Sequence, residues 1–161
     1  MSSNDDSYEK VRQSTRRKDG QGYQLRAACV CLREQSSKKE ILLVTAARDP
    51  LRWLVPGGGV EEGESAREAA LREAEEEAGV KGSLVGHVGR FVDEDRKHKT
   101  DVFVMVVKEE LTHWEDLFRI GRRRRWTPLD AAIDQLKESQ KPYLVQLLKD
   151  HDSEVLVEVI A

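Results

Sequence analysis

Apolar residues arrive along this chain in short runs of alternating or continuous β type, broken once by a longer stretch with helical spacing. The runs 26–33 and 41–46 read as strands joined by a polar turn from Glu34 to Glu40. Trp53-Leu54-Val55 is a short strand that feeds Pro56 and three glycines, Gly57, Gly58 and Gly59. Residues 82–91 and 102–107 are further strands, the second rich in β-branched side chains, with a charged loop over 93–100 between them. Residues 114–120 read as part of a connection and 124–127 as a strand. Pro128 is expected at the first position of a helix running toward Glu138, and Pro142 near the start of a last helix to about Asp150. Residues 154–160 are apolar enough for a short strand or a docked tail. The order predicts one α/β (α+β) unit over residues 16–151, a mixed sheet sandwiched between helices, with residues 1–15 a disordered leader and 152–161 a C-terminal tail.

The helical stretch carries the chemistry. Ser65-Ala66-Arg67-Glu68 fits a capping box, and Gly79 is placed to end the helix. At 100° per residue Glu73, Glu76 and Glu77 fall within roughly a 100° arc. That arc lies beside a sector of Ala70, Leu71, Ala74 and Ala78 expected to face the core. Carboxylates held so close repel one another unless cations sit between them, and hard oxygen donors suit magnesium or manganese. Arg72 is spaced to reach Glu68 and Glu76, each four residues away. The three glycines before the helix are expected to take unusual backbone angles and bring main-chain groups close to a ligand. A solvated acidic helix would show the same glutamates, but not this glycine loop ahead of them.

Composition adds two constraints. Charged residues make up 35% of 161 positions and no apolar run approaches transmembrane length, so no membrane partner is expected. Residues 58–80 hold eight acids and two bases, which leaves 22 acids and 25 bases elsewhere in a chain of net charge −3. The basic excess clusters at 16–18, 96–99 and 122–125, which beside a metal-binding helix favours an anionic, phosphate-rich substrate. Cys29 and Cys31 fall on one face of a strand and read as reduced core residues of a cytoplasmic protein small enough to reach the nucleus.

The full pattern runs Gly58, five residues, Glu64, seven residues, then Arg72-Glu73-Ala74-Glu75-Glu76-Glu77-Ala78-Gly79-Val80. It resembles the signature of the Nudix hydrolases, and so implies the Nudix fold and metal-assisted cleavage of a phosphoanhydride. Beyond the signature, Gly22-Tyr23, Arg26 to Cys31, Arg52 to Gly59, Arg96 to Thr100, Trp114-Glu115-Asp116, Ile120-Gly121-Arg122 and Lys141-Pro142 are similar to the diphosphoinositol polyphosphate phosphohydrolases. That resemblance implies diphosphoinositol polyphosphates and diadenosine penta- and hexaphosphates as substrates. It implies metal binding (Mg2+ or Mn2+) by the Gly57 carbonyl, Glu73 and Glu77, and Glu76 as the base that activates water. It implies substrate contacts from Arg16, Arg26, Arg48, Gly57, Gly58, Gly59, Arg96, Lys97, His98, Arg122 and Lys141. Two positions depart from that pattern: Gln24 stands where a lysine is common, and Ala46-Ala47 where serines are common.

The residues leave alternatives open. Glu64 competes with Glu76 for the role of base. A dinucleoside polyphosphate hydrolase would share the metal site but needs an aromatic platform for adenine, and the chain has only nine aromatic residues. A non-catalytic binder of RNA or inorganic polyphosphate would use the arginine runs without turnover. A monomer acting on a small polyphosphate is the simplest reading of a single domain this size.

Overall fold

The computed structural model describes residues 17–150. Seven strands form one mixed sheet. In chain order they are β1 (Gln24–Gln35), β2 (Lys38–Thr45), β3 (Trp53–Leu54), β4 (Gly57–Gly59), β5 (Val80–Asp93), β6 (His98–Glu110) and β7 (Arg124–Pro128). The main path runs β3-β2-β1-β6-β5, with β4 against β1 and β7 against β2. β1 and β6 are parallel and the other pairs are antiparallel. Among the described residues four α-helices flank the sheet, α1 (Ala66–Ala78), α2 (Glu115–Ile120), α3 (Leu129–Gln135) and α4 (Lys141–Asp150), with a 3-10 turn at Glu138–Gln140.

Two-residue periodicity builds the layers. Along β1, Ala28, Val30 and Leu32 face one side, where Leu129, Ala132, Leu136, Tyr143, Leu144 and Leu147 of the α3–α4 region close the core. Ala27, Cys29 and Cys31 face the other, against Ala69, Ala70, Ala74 and Ala78 of α1. A strand buried on both faces needs a continuous apolar run, which is why residues 27–32 contain no charge. Both cysteines are free and buried on the α1 side, as their spacing predicts.

Several expectations shift. The strands extend past their apolar cores, so the loop expected over 93–100 shrinks to the turn 94–97 between β5 and β6. Residues 115–120 form a helix rather than open connection. Pro128 caps α3 from outside instead of starting it, and α3 stops at Gln135. The three glycines ahead of the helix do not adopt positive φ. Gly57 to Gly59 are extended and pair with Ala28, Ala27 and Arg26. They are glycine for want of space: a Cβ on Gly57 would stand 2.8 Å from the Ala27 carbonyl oxygen, and one on Gly58 2.5 Å from Glu73 Oε1. The leader 1–15, Arg16, and the tail 152–161 with its expected strand lie outside the described residues.

Candidate active site

α1 is fixed at both ends. At its start the Ser65 hydroxyl accepts from the Glu68 amide at 3.1 Å while the Ser65 amide donates to Glu68 Oε1 at 3.2 Å. At its end Gly79, with φ 65°, turns back its amide to the carbonyls of Ala74 and Glu75. The buried face differs from the sequence expectation. Leu71 is exposed, Ala69 takes its place inside, and Glu73 and Glu77 lie in the middle of the buried face with 3% and 9% exposure. Two carboxylates one turn apart are thus held beneath the glycine strand, and burial followed by the proximity of Glu73 pushes the Glu77 pKa well above the ordinary carboxylate range.

Arg72 organises the rest. It does not reach Glu68, which the helix cap occupies. Its Nε donates to Glu64 Oε2 at 2.8 Å and its Nη2 to Glu64 Oε1 at 3.0 Å, a bidentate pair. Its Nη1 donates to Glu73 Oε1 at 2.8 Å and Glu76 Oε2 at 3.2 Å, and Nη2 also to the Gly59 carbonyl at 2.9 Å. Burial alone would lower the pKa of this guanidinium, but the surrounding carboxylates outweigh burial and raise it. Burial likewise pulls Glu64 upward, yet the hydrogen bonds from Arg72 and the Glu61 amide prevail and lower its pKa. Glu64 therefore has both oxygens engaged, whereas Glu76 lines an open cavity of about 210 Å³.

That cavity is walled by Gly57, Gly58, Glu73, Glu76, Glu77 and Asp116 together with Arg26, Arg119 and Arg122, the last two paired with Asp116. Among the described residues no three His, Cys, Asp or Glu side chains converge as a ready cage. The donor set is instead two buried carboxylates beside the glycine main chain, with Glu76 at the mouth. The fit to a hard divalent cation rests on the Glu73–Glu77 contact: two carboxylates buried side by side ionise together only when a cation lies between them.

The arginine run at 122–125 is not one clamp, because a strand sends alternate side chains to opposite faces. Arg122 is buried at the acidic cavity, its Nε donating to Asp116 Oδ2 at 2.9 Å and its Nη1 to the Thr45 carbonyl at 2.5 Å, with Glu77 Oε2 3.8 Å away. Arg124 lies over Trp114, 4.2 Å from the ring, and caps the end of α1 by donating to the carbonyls of Ala78 at 2.9 Å, Gly79 at 3.1 Å and Leu111 at 2.7 Å. Arg125 lies 4.0 Å over Trp53. Arg124→Met is expected to cost about 2 kcal/mol of stability by orphaning those carbonyls, read as a lower urea midpoint with unchanged slope.

The other candidates divide similarly. Arg26 lines both the acidic cavity and an adjoining one of about 390 Å³, where Arg96 and His98 also stand. Arg96 is paired with Asp93 at 3.0 Å. Lys97 is exposed and packs over Tyr23 at 4.9 Å, Arg48 is exposed on the loop before β3, and Lys141 pairs with Glu138 at 2.7 Å. None of these last three lines a described cavity. Sequence reasoning did not single out Arg119, Asp116, Arg52 or Lys137 as site residues. Asp116 and Arg52 lay within the quoted motifs, but only the fold brings Lys137 beside Arg26 and Arg96.

The NUDIX domain family model matches residues 22–147. The chain belongs to the Nudix family. It is 47% identical over 135 residues to diphosphoinositol polyphosphate phosphohydrolase 2 of Rattus norvegicus, covering 84% of this chain and 74% of the rat protein. It is also 47% identical over 136 residues to diphosphoinositol polyphosphate phosphohydrolase 3-alpha of Mus musculus, covering 84% of this chain and 82% of the mouse protein. Among solved structures the fold matches the NUDIX domain of Shewanella oneidensis NrtR complexed with ADP ribose, with TM-score 0.66, 17% identity, and 83% and 93% of the two chains covered. It also matches a C. elegans Ap4A hydrolase binary complex, with TM-score 0.59, 22% identity, and 78% and 96% covered.

Proposed function

We propose that the chain hydrolyses the phosphoanhydride of diphosphoinositol polyphosphates, with diadenosine penta- and hexaphosphates as further substrates. The observation that carries this is one groove with two chemical ends: buried carboxylates under the glycine strand, and cations along the adjoining walls. Glu73, Glu77 and the Gly57 carbonyl would hold magnesium or manganese, which when bound neutralises phosphate oxygens and keeps water near the reacting phosphorus.

Glu76 stands at the cavity mouth and takes the proton of the attacking water. The water oxygen bonds to the outer phosphorus, the anhydride bond breaks, and the inner phosphate leaves as a phosphate ester. Arg26 and Arg122 line the same cavity and would stabilise the developing charge. Arg122, tied to Asp116 and beside Glu77, also fixes the carboxylate end of the groove. Arg96 and His98 hold phosphates farther from the reacting bond. Arg16, Arg48, Lys97 and Lys141 are assigned to this substrate surface by similarity to the phosphohydrolases. The free, buried Cys29 and Cys31 support action in a reducing compartment such as the cytosol.

A dinucleotide preference is the second reading. It is favoured by a cavity lined by Pro50, Leu51 and Trp53, where the Arg125 guanidinium over the indole offers a flat surface for a base. The deciding experiment measures phosphate release from a diphosphoinositol polyphosphate and from diadenosine hexaphosphate side by side, with and without magnesium. Metal-dependent turnover that favours the inositol compound is expected. Preference for the dinucleotide would transfer the assignment to the second reading, and turnover of neither would leave a polyphosphate-binding protein.

A further inference from the structure

Beyond the acidic cavity the groove continues into two spaces of about 390 and 520 Å³ that share Arg96, Lys137 and Ser139 as walls. Lys137 belongs to the short connection between α3 and α4, and that connection is tied to the sheet. The Lys137 amide donates to the Trp53 carbonyl at 3.1 Å, the Val55 amide donates to Gln140 Oε1 at 2.7 Å, and Leu136 beside it is buried at 4% exposure. The lysine stem is therefore placed by the core and not by a loose loop.

Its electrostatic setting is unusual. Arg52 and Arg96 have carboxylate partners, Asp49 at 3.9 Å and Asp93 at 3.0 Å. Lys137 and Arg26 make no ion pair with any described residue, though both are half-buried. Burial, then the charges of Arg96, Arg52 and Arg26, lowers the pKa of Lys137. Asp93 lines the same cavity as Lys137 and offsets part of this charge through Arg96, but these four cations still outnumber it, and an added anion would relieve their repulsion.

We propose that Lys137 is a specificity-determining residue, holding, together with Arg26 and Arg96, a phosphate of the substrate remote from the bond that is cut. The inference rests on the groove being the substrate channel, as proposed above. It makes the number and spread of phosphates count. A ligand with one or two phosphates is retained at the acidic end alone, while one carrying phosphates around a ring or along a chain also reaches Lys137. Gln24 sits opposite His98 in the β1–β6 register, so Lys137 also supplies positive charge to a wall where position 24 offers none.

The test compares wild type, Lys137→Gln and Lys137→Arg by calorimetric titration at fixed ionic strength. The probes are inositol hexakisphosphate, which has only monoesters and is not turned over, and inorganic pyrophosphate. Lys137→Gln should weaken hexakisphosphate binding about tenfold, several times more than it weakens pyrophosphate, and Lys137→Arg should restore most of the loss. Melting curves of the variants should overlay the wild type. Loss within about twofold for hexakisphosphate, or an equal loss for both probes, overturns the inference while leaving the proposed activity standing. Failure of wild type to bind hexakisphosphate overturns the inference and the inositol reading together.

Discussion

Glu76→Gln should lower turnover at least about a hundredfold, the effect of removing a general base, without changing the melting temperature. The geometry separates Glu76 from its competitor. Both oxygens of Glu64 are engaged by Arg72, at 2.8 and 3.0 Å, and a carboxylate so held is a poor proton acceptor. Glu76 meets Arg72 at 3.2 Å through one oxygen and lines the cavity. Its loss should appear in kcat with KM little altered, because Gln keeps the volume and the hydrogen bond to Arg72. A phosphate-release assay with the inositol substrate and magnesium measures it. Wild-type rates would take Glu76 out of the mechanism and leave Glu64, which would have to let go of Arg72 to act.

Gly58→Ala should be nearly as damaging to turnover, for a steric reason. The added Cβ would sit 2.5 Å from Glu73 Oε1 and 2.7 Å from its Cδ. What it meets is the far end of a side chain, so Glu73 can swing aside, and the stability cost should be about 1 kcal/mol, the low end for overpacking. Activity has no such escape. Glu73 would leave its place beside Glu77, and a displacement of about 1 Å in a reacting constellation costs about a hundredfold in rate. Small loss in a denaturation curve with large loss in kcat is the expected pair of results. An unaltered rate would mean that the position of Glu73 is unimportant to the reaction.

Local rules made much of this legible before the fold. The capping box at Ser65, the stop at Gly79, the continuous apolar runs of β1 and β2, and the acidic stripe of α1 all follow from neighbours within a few positions. What the chain hid depended on contacts between distant segments. Spacing offers Arg72 a partner at Glu68, but Glu68 is consumed by the cap, and the pairing with Glu64 arises because the glycine strand folds that residue back over the helix. The four arginines 122–125 look like one charged patch, but the fold sends Arg122 to a carboxylate wall, Arg124 to a helix end and Arg125 to a tryptophan face. The glycines read as conformational hinges, and the sheet uses them as gaps through which a strand and a carboxylate approach. Lys137 carried no local signal, since its neighbours Leu136 and Gln140 acquire meaning only when they dock on β3 and Val55.

Arg72 has a consequence for how such an enzyme diversifies. The carboxylates at the reacting end are welded to helix α1 and the glycine strand by one guanidinium that bonds both. Two of the cations proposed to read the rest of the ligand, Arg96 and Lys137, sit elsewhere, on the turn 94–97 and the connection 136–140. Chemistry and recognition are thereby housed in separate segments that share a groove but not a scaffold. Changes of length or charge in either connection can retune which polyphosphate is accepted while the hydrolytic apparatus is inherited intact.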